Sequence, residues 1–310
     1  MQFLRARTEP GWTALVPQGD TLRAAHLLPA SGSQPPRLSW SWQGAWGDDL
    51  AVRAASLGAL QRAQSVKTRR VWLLERGQYQ IVPADAPADV PREEWQDALR
   101  WQLKGQLEFA AEDAALDLLT LPNDQSQRRQ AQLLAVLAPK YRLRELVKSC
   151  ETHKLALSAI DIPETALRNL SARLAPEQRA QALLSFGSGV GSLVVTQGSD
   201  LLMYRQIELG ADALAHEDNA RREAALDRAA LEVQRTLDNF DRLFSHLSLG
   251  RVLVAPGAGM AALVGHLGGM VNVKVEALDL QGVLDAAATP ALLGAESARW
   301  LTALGAALRD

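Results

Sequence analysis

The stretch "SFGSGVGSLVV", Ser185–Val195, decides how this chain is read. A strand enters it, small residues fill the middle, and a strand leaves. Three readings compete: a phosphate-binding loop, the remnant of one, or a tight hairpin. Glycine suits all three, because it alone lets a backbone turn sharply and approach another group closely. Downstream, "VTQGSDLLMYRQIEL" extends the pair into a three-strand meander, with turns at residues 187–191 and 197–200. A long helix follows over residues 222–247, with Leu226, Ala230, Val233, Leu237, Phe240, Phe244 and Leu247 recurring every three or four residues. Then come the strand "RVLVAP", the turn Gly257-Ala258-Gly259, a helix, the strand "VKVEAL" and a closing helix in "ESARWLTALGAALRD".

Upstream, the polar break "SARLAPEQRAQ" (171–181) marks an inter-domain join. The first 90 residues are β-rich. "WTALVPQGDTLRAAHLL" reads as a hairpin turning at Gly19-Asp20, and "RLSWSWQGAW" alternates like a half-buried strand. "RRVWLLERGQYQIVPAD" reads as a second hairpin turning at Arg76-Gly77, and residues 47–64 have helical composition. From Pro91, "PREEWQDALRWQLKGQLEF" opens as helices do and spaces Trp95, Leu99, Leu103 and Leu107 at a helical period. "QLLAVLAP" is a short strand. "KYRLRELVKSCETHKLAL" is an amphipathic helix with Cys150 on its apolar side, and "SAIDIPETALRNLSARL" is a strand then a helix. Each half opens on a small-residue hairpin and continues in alternating strands and helices, the outline of a duplicated α/β fold.

Composition removes several functions. The 310 residues are 47% hydrophobic and 22% charged, ordinary for a globular protein of about two domains. A net charge of −2 argues against broad binding to nucleic acid, which needs a basic face. One cysteine excludes an internal disulfide, and the five histidines lack metal-ligand spacing. The N-terminal "MQFLRARTEP" has no secretory apolar core. Residues 252–273 are uncharged and long enough to span a bilayer, but Pro256, five glycines, His266 and Asn272 break them into strand, turn, helix and strand. The expectation is a cytoplasmic protein without a membrane span of its own.

Several stretches together resemble one family, the PilM and MshI proteins of type IV and MSHA pilus assembly, which have the actin-like (ASKHA) fold. "WQDALRWQLKGQLEFAAEDAALDLLTL" resembles the family's helix with an Arg-Trp pair, here Arg100-Trp101. "VLAPKYRLRELVKSCETHKLALSAIDIPETAL" resembles its strand-helix-strand ending in an acid, here Asp161. "EVQRTLDNF" is similar to its Glu-x-x-Arg-Ser-Leu helix, "RVLVAPGAGMAALVGHL" to its adenosine turn and "LTALGAALR" to its closing helix. The likeness covers most of residues 90–310. It implies two actin-like domains, 1–178 with an inserted subdomain near 91–140 and 179–310, each a mixed sheet flanked by helices, with the last helix, 296–310, packing back on the first. It also implies a scaffold at the cytoplasmic face of the inner membrane. Such a scaffold docks the PilN-like cytoplasmic tail of a bitopic membrane protein and contacts the assembly ATPase. A GspL-like component of type II secretion is the alternative within the same fold.

In the resembled fold, two glycine hairpins grip nucleotide phosphates and each carries an acid for the metal and its water. Here the first hairpin, "TALVPQGDTLR", has Val16 at the acid position and Gln18 at the glycine. Gly19, Thr21 and Arg23 keep useful chemistry, and Asp20 is displaced to the tip. The second keeps Gly187, Ser188, Gly189, Gly191 and Ser192 but has Ser185 for the acid. The adenosine turn keeps Gly257 and Gly259, with Pro256 in place of a further glycine, and Glu232 and Arg235 align with residues that approach the nucleoside. For that pair the competing reading is a surface i,i+3 ion pair. Metal-assisted hydrolysis needs a held cation and an activated water, so no ATP turnover is expected. No cofactor or metal is expected either, the alternative being ATP with magnesium in a nucleotide-binding switch. Trp40, Trp42 and Trp46 fit either core packing or a groove for a partner peptide.

Overall fold

The computed structural model describes residues 8–64, 67–122, 132–174, 179–287, 292 and 297–309. In chain order the first half contains β1 (Trp12–Gln18), β2 (Thr21–Leu28), β3 (Arg37–Ala45), α1 (Leu50–Ala63), β4 (Arg69–Leu73), β5 (Gln80–Asp85), α2 (Trp95–Gln102), β6 (Ala114–Thr120), β7 (Gln132–Pro139), α3 (Lys140–Thr152), β8 (Ala159–Asp161) and α4 (Pro163–Leu174). The second half contains β9 (Ala180–Phe186), β10 (Gly191–Gln197), β11 (Asp200–Ile207), α5 (Ala211–Leu214), α6 (Asn219–Leu243), β12 (Leu249–Val254), α7 (Met260–Gly268), β13 (Lys274–Ala277) and α8 (Ser297–Ala307).

Two five-stranded sheets share one plan. Their orders are β3-β2-β1-β4-β8 and β11-β10-β9-β12-β13. Numbered within its own sheet, each reads 3-2-1-4-5. In both, three strands meander, a helix crosses to a fourth strand, a second helix leads to a fifth, and a third helix closes the repeat. This is the duplicated α/β, actin-like architecture expected from the sequence. The first repeat carries an insertion between β4 and α3, in which β5, β7 and β6 form a separate three-stranded sheet.

Contacts group the chain into two compact units: Met1–Glu9, Leu15–Arg23 and Trp42–Ile162 in one, Pro10–Ala14, Ala24–Ser41 and Pro163–Asp310 in the other. Within the second unit, β9 pairs antiparallel with β10 and parallel with β12. One face of this sheet presents Ala182, Leu184, Phe186, Leu193, Val195, Val252 and Val254 to the buried stripe of α6, which includes Leu226, Ala230, Val233, Leu237 and Phe240. Full burial of each such leucine, valine or phenylalanine contributes roughly 1.5–3 kcal/mol. Asp218 caps α6 by accepting the Arg221 N–H at 2.9 Å, so the helix starts at Asn219, before the expected 222, and it ends at Leu243, short of the expected 247. On the other face lies α4, whose Ser171 Oγ is 2.6 Å from Thr196 Oγ1 of β10 and whose Ser171 carbonyl accepts from Gln181 Nε2 at 2.6 Å. Helix α8 packs on α4. A Cβ at Gly305 would stand 2.3 Å from the Ala166 carbonyl oxygen, and Asn169 Nδ2 donates to the Gly305 carbonyl at 3.1 Å.

Within the first unit, α2 covers one face of the small sheet. Leu99 and Leu103 meet Val82, Leu116, Leu133 and Leu137 in its core. Two expectations are corrected here. The stretch 69–85 is not a hairpin: β4 belongs to the large sheet, while β5 pairs antiparallel with β7, Ile81 opposite Val136. The turn at Arg76-Gly77 exists, with Gly77 at φ 82°, but it joins two sheets. Helix α2 also ends at Gln102, before the expected Leu107, as the chain passes into a short 3-10 turn over Lys104–Gln106 around Gly105. Leu107 still packs against the same core from outside the helix. Cys150 is buried, and desolvation pushes its thiol up to about 12, which makes it an inert core residue.

Residues 252–273 divide between β12, a glycine turn and α7, and among the described residues no helix is long and apolar enough to cross a membrane. The expected join at 171–181 includes residues 175–178, which with the 178/179 boundary lie outside the described residues, as do residues 1–7 and both ends of the 296–310 stretch.

Candidate functional site

In the second unit the register sets the site. Leu184 of β9 stands opposite Val254 of β12, and Ala255 donates its N–H to the Leu184 carbonyl at 2.7 Å. Both parallel strands therefore release their chains at the same end, and both release them into glycine turns. Carboxyl ends of parallel strands are where α/β sheets receive ligands.

The first of these turns is the 187–191 loop. Gly187 donates its N–H to the Val190 carbonyl at 3.0 Å, and Phe186 pairs with Gly191, so the hairpin is tightly closed. Gly189 adopts φ 86°, where a side chain would be strained. Gly191 is needed for a different reason: a Cβ there would lie 2.6 Å from the Phe186 ring. Ser185, at the expected acid position, pairs across the strands with Ser192. Ser188 is exposed at the tip. Hydroxyls and backbone amides are present at this loop, and no acid of its own. Among the described residues no group of three histidine, cysteine or acidic side chains is placed to hold a metal ion.

The second turn contains Gly257 and Gly259. Gly257 is exposed, and Gly259, at φ 75°, forms the N-cap of α7. Between the two turns runs a segment that was not singled out from the sequence. Gly210 and Ala211 abut the 187–191 loop, Ala211 donating its N–H to the Gly187 carbonyl at 2.9 Å. Leu214 and Ala215 abut Gly259. The signal that was available is the isolated Gly210 in "IELGADAL", one residue before a helical stretch. Its requirement for glycine comes from a neighbour 21 positions away, which composition and period do not reveal.

Glu232 and Arg235 sit on α6, and their bonds form a surface ion triad with Arg205 of the edge strand β11. Arg205 Nε donates to Glu232 Oε2 at 2.7 Å, and Arg235 Nη1 donates to Glu232 Oε1 at 3.0 Å. The Arg205 hydrogen bond first, and then Arg235, hold the Glu232 carboxyl below its ordinary range. On the same helix Asp227 meets His266 of α7 at 2.9 Å.

In the first unit, the other hairpin is tied across its mouth. Arg23 Nη1 donates to Gln18 Oε1 at 2.7 Å, Thr21 Oγ1 donates to Asp20 Oδ1 at 3.0 Å, and Gly19 turns at φ 59°. Val16 is 3% exposed, a core residue where the resembled fold carries an acid. The Asp20 carbonyl accepts from the Trp46 N–H at 2.7 Å. Trp46 packs at 5.5 Å from Trp72, under the Arg53 guanidinium, and the Trp42 ring lies over Gly44, where a Cβ would stand 2.3 Å from it. In the second unit Trp40 stacks at 5.7 Å on buried His26. All three candidate partner-binding tryptophans are half-buried. Among the described residues the strongly exposed aromatics are Trp101 and Tyr141, at 57% and 54%.

No protein-family model matches the chain, and no curated protein matches it significantly. Solved structures do. A chain of a PilM-PilN type IV pilus biogenesis complex superposes with a TM-score of 0.69 at 23% identity, covering 98% of both chains. The chain has a PilM-like actin fold. Two further likenesses are more distant. The cytoplasmic domain of EpsL, an inner membrane component of the Vibrio cholerae type II secretion system, aligns at TM-score 0.45 and 13% identity over 66% of this chain and 72% of that one. A Bacteroides thetaiotaomicron protein with an actin-like ATPase fold aligns at 0.49 and 10% identity over 94% and 98%. The PilM-like match covers nearly the full length of both chains.

Proposed function

We propose that this chain is an adaptor of a type IV or MSHA-type pilus assembly platform. It works at the cytoplasmic face of the inner membrane, docks the cytoplasmic tail of a bitopic PilN-like protein, and contacts the assembly ATPase. The observation that carries this reading is the end-to-end match, at 98% of both chains, with a chain of a PilM-PilN complex. Fold alone serves enzymes and scaffolds alike, so the site must weigh in. Val16 in the core of β1 and Ser185 in β9 leave no carboxylate at either position where the resembled fold carries its acid, and the first hairpin has only Asp20, at its tip. The nucleotide cleft is a degenerate one in this reading, as in a pseudo-ATPase scaffold.

The test is binding of the purified chain to a synthetic peptide carrying the complete cytoplasmic tail of a PilN-like protein from the same genome. Saturable one-to-one binding in a calorimeter, abolished by scrambling the peptide, is the expected result. A scrambled peptide that binds equally well, or no binding at millimolar peptide, removes the reading. A second reading keeps nucleotide binding without turnover, because the 187–191 and 257–259 turns retain their glycines. Titration with ATP and magnesium, followed by a phosphate-release assay, separates the adaptor, the nucleotide switch and the ATPase.

A further inference from the structure

Six residues of the second unit join its two glycine turns, and both joints are backbone against backbone. At one joint a Cβ on Gly210 would stand 2.3 Å from the Gly189 nitrogen and 2.8 Å from its Cα, while Ala211 donates to the Gly187 carbonyl at 2.9 Å. At the other, a Cβ on Gly259 would stand 2.3 Å from the Leu214 carbonyl oxygen and 3.0 Å from the Ala215 nitrogen. The short α5 lies between them. Its Leu214 is fully buried in the same core as Phe186, which enters the first turn, and Met260, which leaves the second.

We propose that residues 210–215 are a built-in strut that fixes the spacing of the two glycine turns, so that the chain itself, and not a bound nucleotide, orders both. Glycine loses more conformational freedom on ordering than any other residue, so a glycine turn without a partner stays loose until a ligand supplies one. Here each turn has its partner already, and the two partners are the two ends of one segment. A backbone contact has no rotamer with which to give way. Close-packed interiors transmit displacement rather than absorb it. A disturbance at Gly189 must therefore move the strut against Gly259, and a disturbance at Gly259 must move it against Gly189. Such coupling is reciprocal.

Hydrogen exchange on the full chain tests this, with Mg-ATP as the probe and three variants. In the wild type, the hydrogen-bonded amides at the two turns, Gly187, Ala211, Met260 and Leu263, are expected to be protected without ligand and unchanged by Mg-ATP. Gly210→Ala is expected to raise exchange at both turns by about tenfold, the factor that matches an overpacked contact. Gly259→Ala approaches from the opposite end and is expected to do the same at 187–191. Gly265→Ala is the control, because a Cβ there meets nothing within 4 Å. Three results overturn the proposal. They are a rise confined to the substituted turn, a rise spread evenly over β9 and β12, and strong new protection of the wild-type turns by Mg-ATP. If Gly210→Ala does not fold, Gly259→Ala and the wild-type comparison decide it.

Discussion

Gly210 and Gly189 are 21 positions apart in the chain and their backbones touch: a methyl group at 210 would overlap the Gly189 nitrogen, at 2.3 Å. Gly210→Ala is therefore an overpacking substitution against backbone, and about 1–3 kcal/mol of stability should be lost. Gly265→Ala lies inside α7 with open space around its Cβ, and should gain about 0.5–1 kcal/mol from helix propensity. Urea midpoints of the two variants should move in opposite directions. Equal shifts would mean that the close approach at Gly210 carries no energy.

The same pair shows where sequence reading stops. Helix α6 was legible because its apolar period records which face it buries, and the β9–β11 meander because alternation and glycine turns are local signals. The cost of a side chain at Gly210 is set by a distant backbone, and no local pattern encodes that. The stretch 69–85 failed for a related reason. Its turn residues are genuine, but which strand β5 pairs with was decided by β7, some 50 residues on. At the candidate site, the glycines at 187, 189, 191, 257 and 259 were readable as turn chemistry. The Arg205 partner of Glu232 was not, because it reaches across from another element.

Acid should weaken the fold through two carboxylates and strengthen it through one. Glu232 is held low first by its bond to Arg205, and Glu276 first by its bond to Lys274. A folded-state value below the unfolded one gives stability that is present above the ordinary carboxylate value, about 4.3, and lost as pH falls through the folded one. Glu75 is the reverse: burial raises it, ahead of the opposing pull of Arg53. Its contribution is complete below the ordinary value and is lost as pH rises through the folded one. Glu75→Gln should flatten that upper part of the pH profile and raise stability at neutral pH. Arg205→Ala should flatten the acid limb and cost roughly 0.2–1 kcal/mol, as exposed pairs do. Urea midpoints from pH 3 to about 8 read both effects, and identical profiles for wild type and variants would remove these assignments.

Arg251 of β12 holds three elements at once. Its Nη2 donates to the Leu174 carbonyl at the end of α4 (2.6 Å), its Nε to Gln181 Oε1 of β9 (3.1 Å), and its Nη1 to Glu276 Oε2 of β13 (3.4 Å). Gln181 is fully buried and its amide nitrogen is already committed to Ser171. Arg251→Ala removes the guanidinium donor from a buried acceptor and should cost about 1–3 kcal/mol. Lys274→Ala deletes an exposed partner of the same Glu276 and should stay within about 0.5 kcal/mol. A double-mutant cycle with Gln181→Leu measures the coupling. Independence of the two sites would mean that the Arg251–Gln181 bond carries no energy and that the Leu174 carbonyl and Glu276 alone hold the arginine.

Placing an acid in each glycine hairpin tests the proposal that both are degenerate phosphate loops. Val16 is 3% exposed, so Val16→Asp places a carboxylate inside the core of the first hairpin without a partner. An uncompensated buried charge costs about 3–5 kcal/mol. Ser185 is half-buried at the mouth of the second hairpin, opposite Ser192, whose hydroxyl can bond a carboxylate. Ser185→Asp should therefore cost less, about 1 kcal/mol. The asymmetry would mean that the first hairpin has been rebuilt as core, with Arg23 bonded to Gln18 across its mouth, while the second keeps the outline of a phosphate loop. Thermal melts of both single variants decide it. A Val16→Asp protein that melts like wild type would show that the first hairpin still accommodates an acid and would remove the reading of it as rebuilt core.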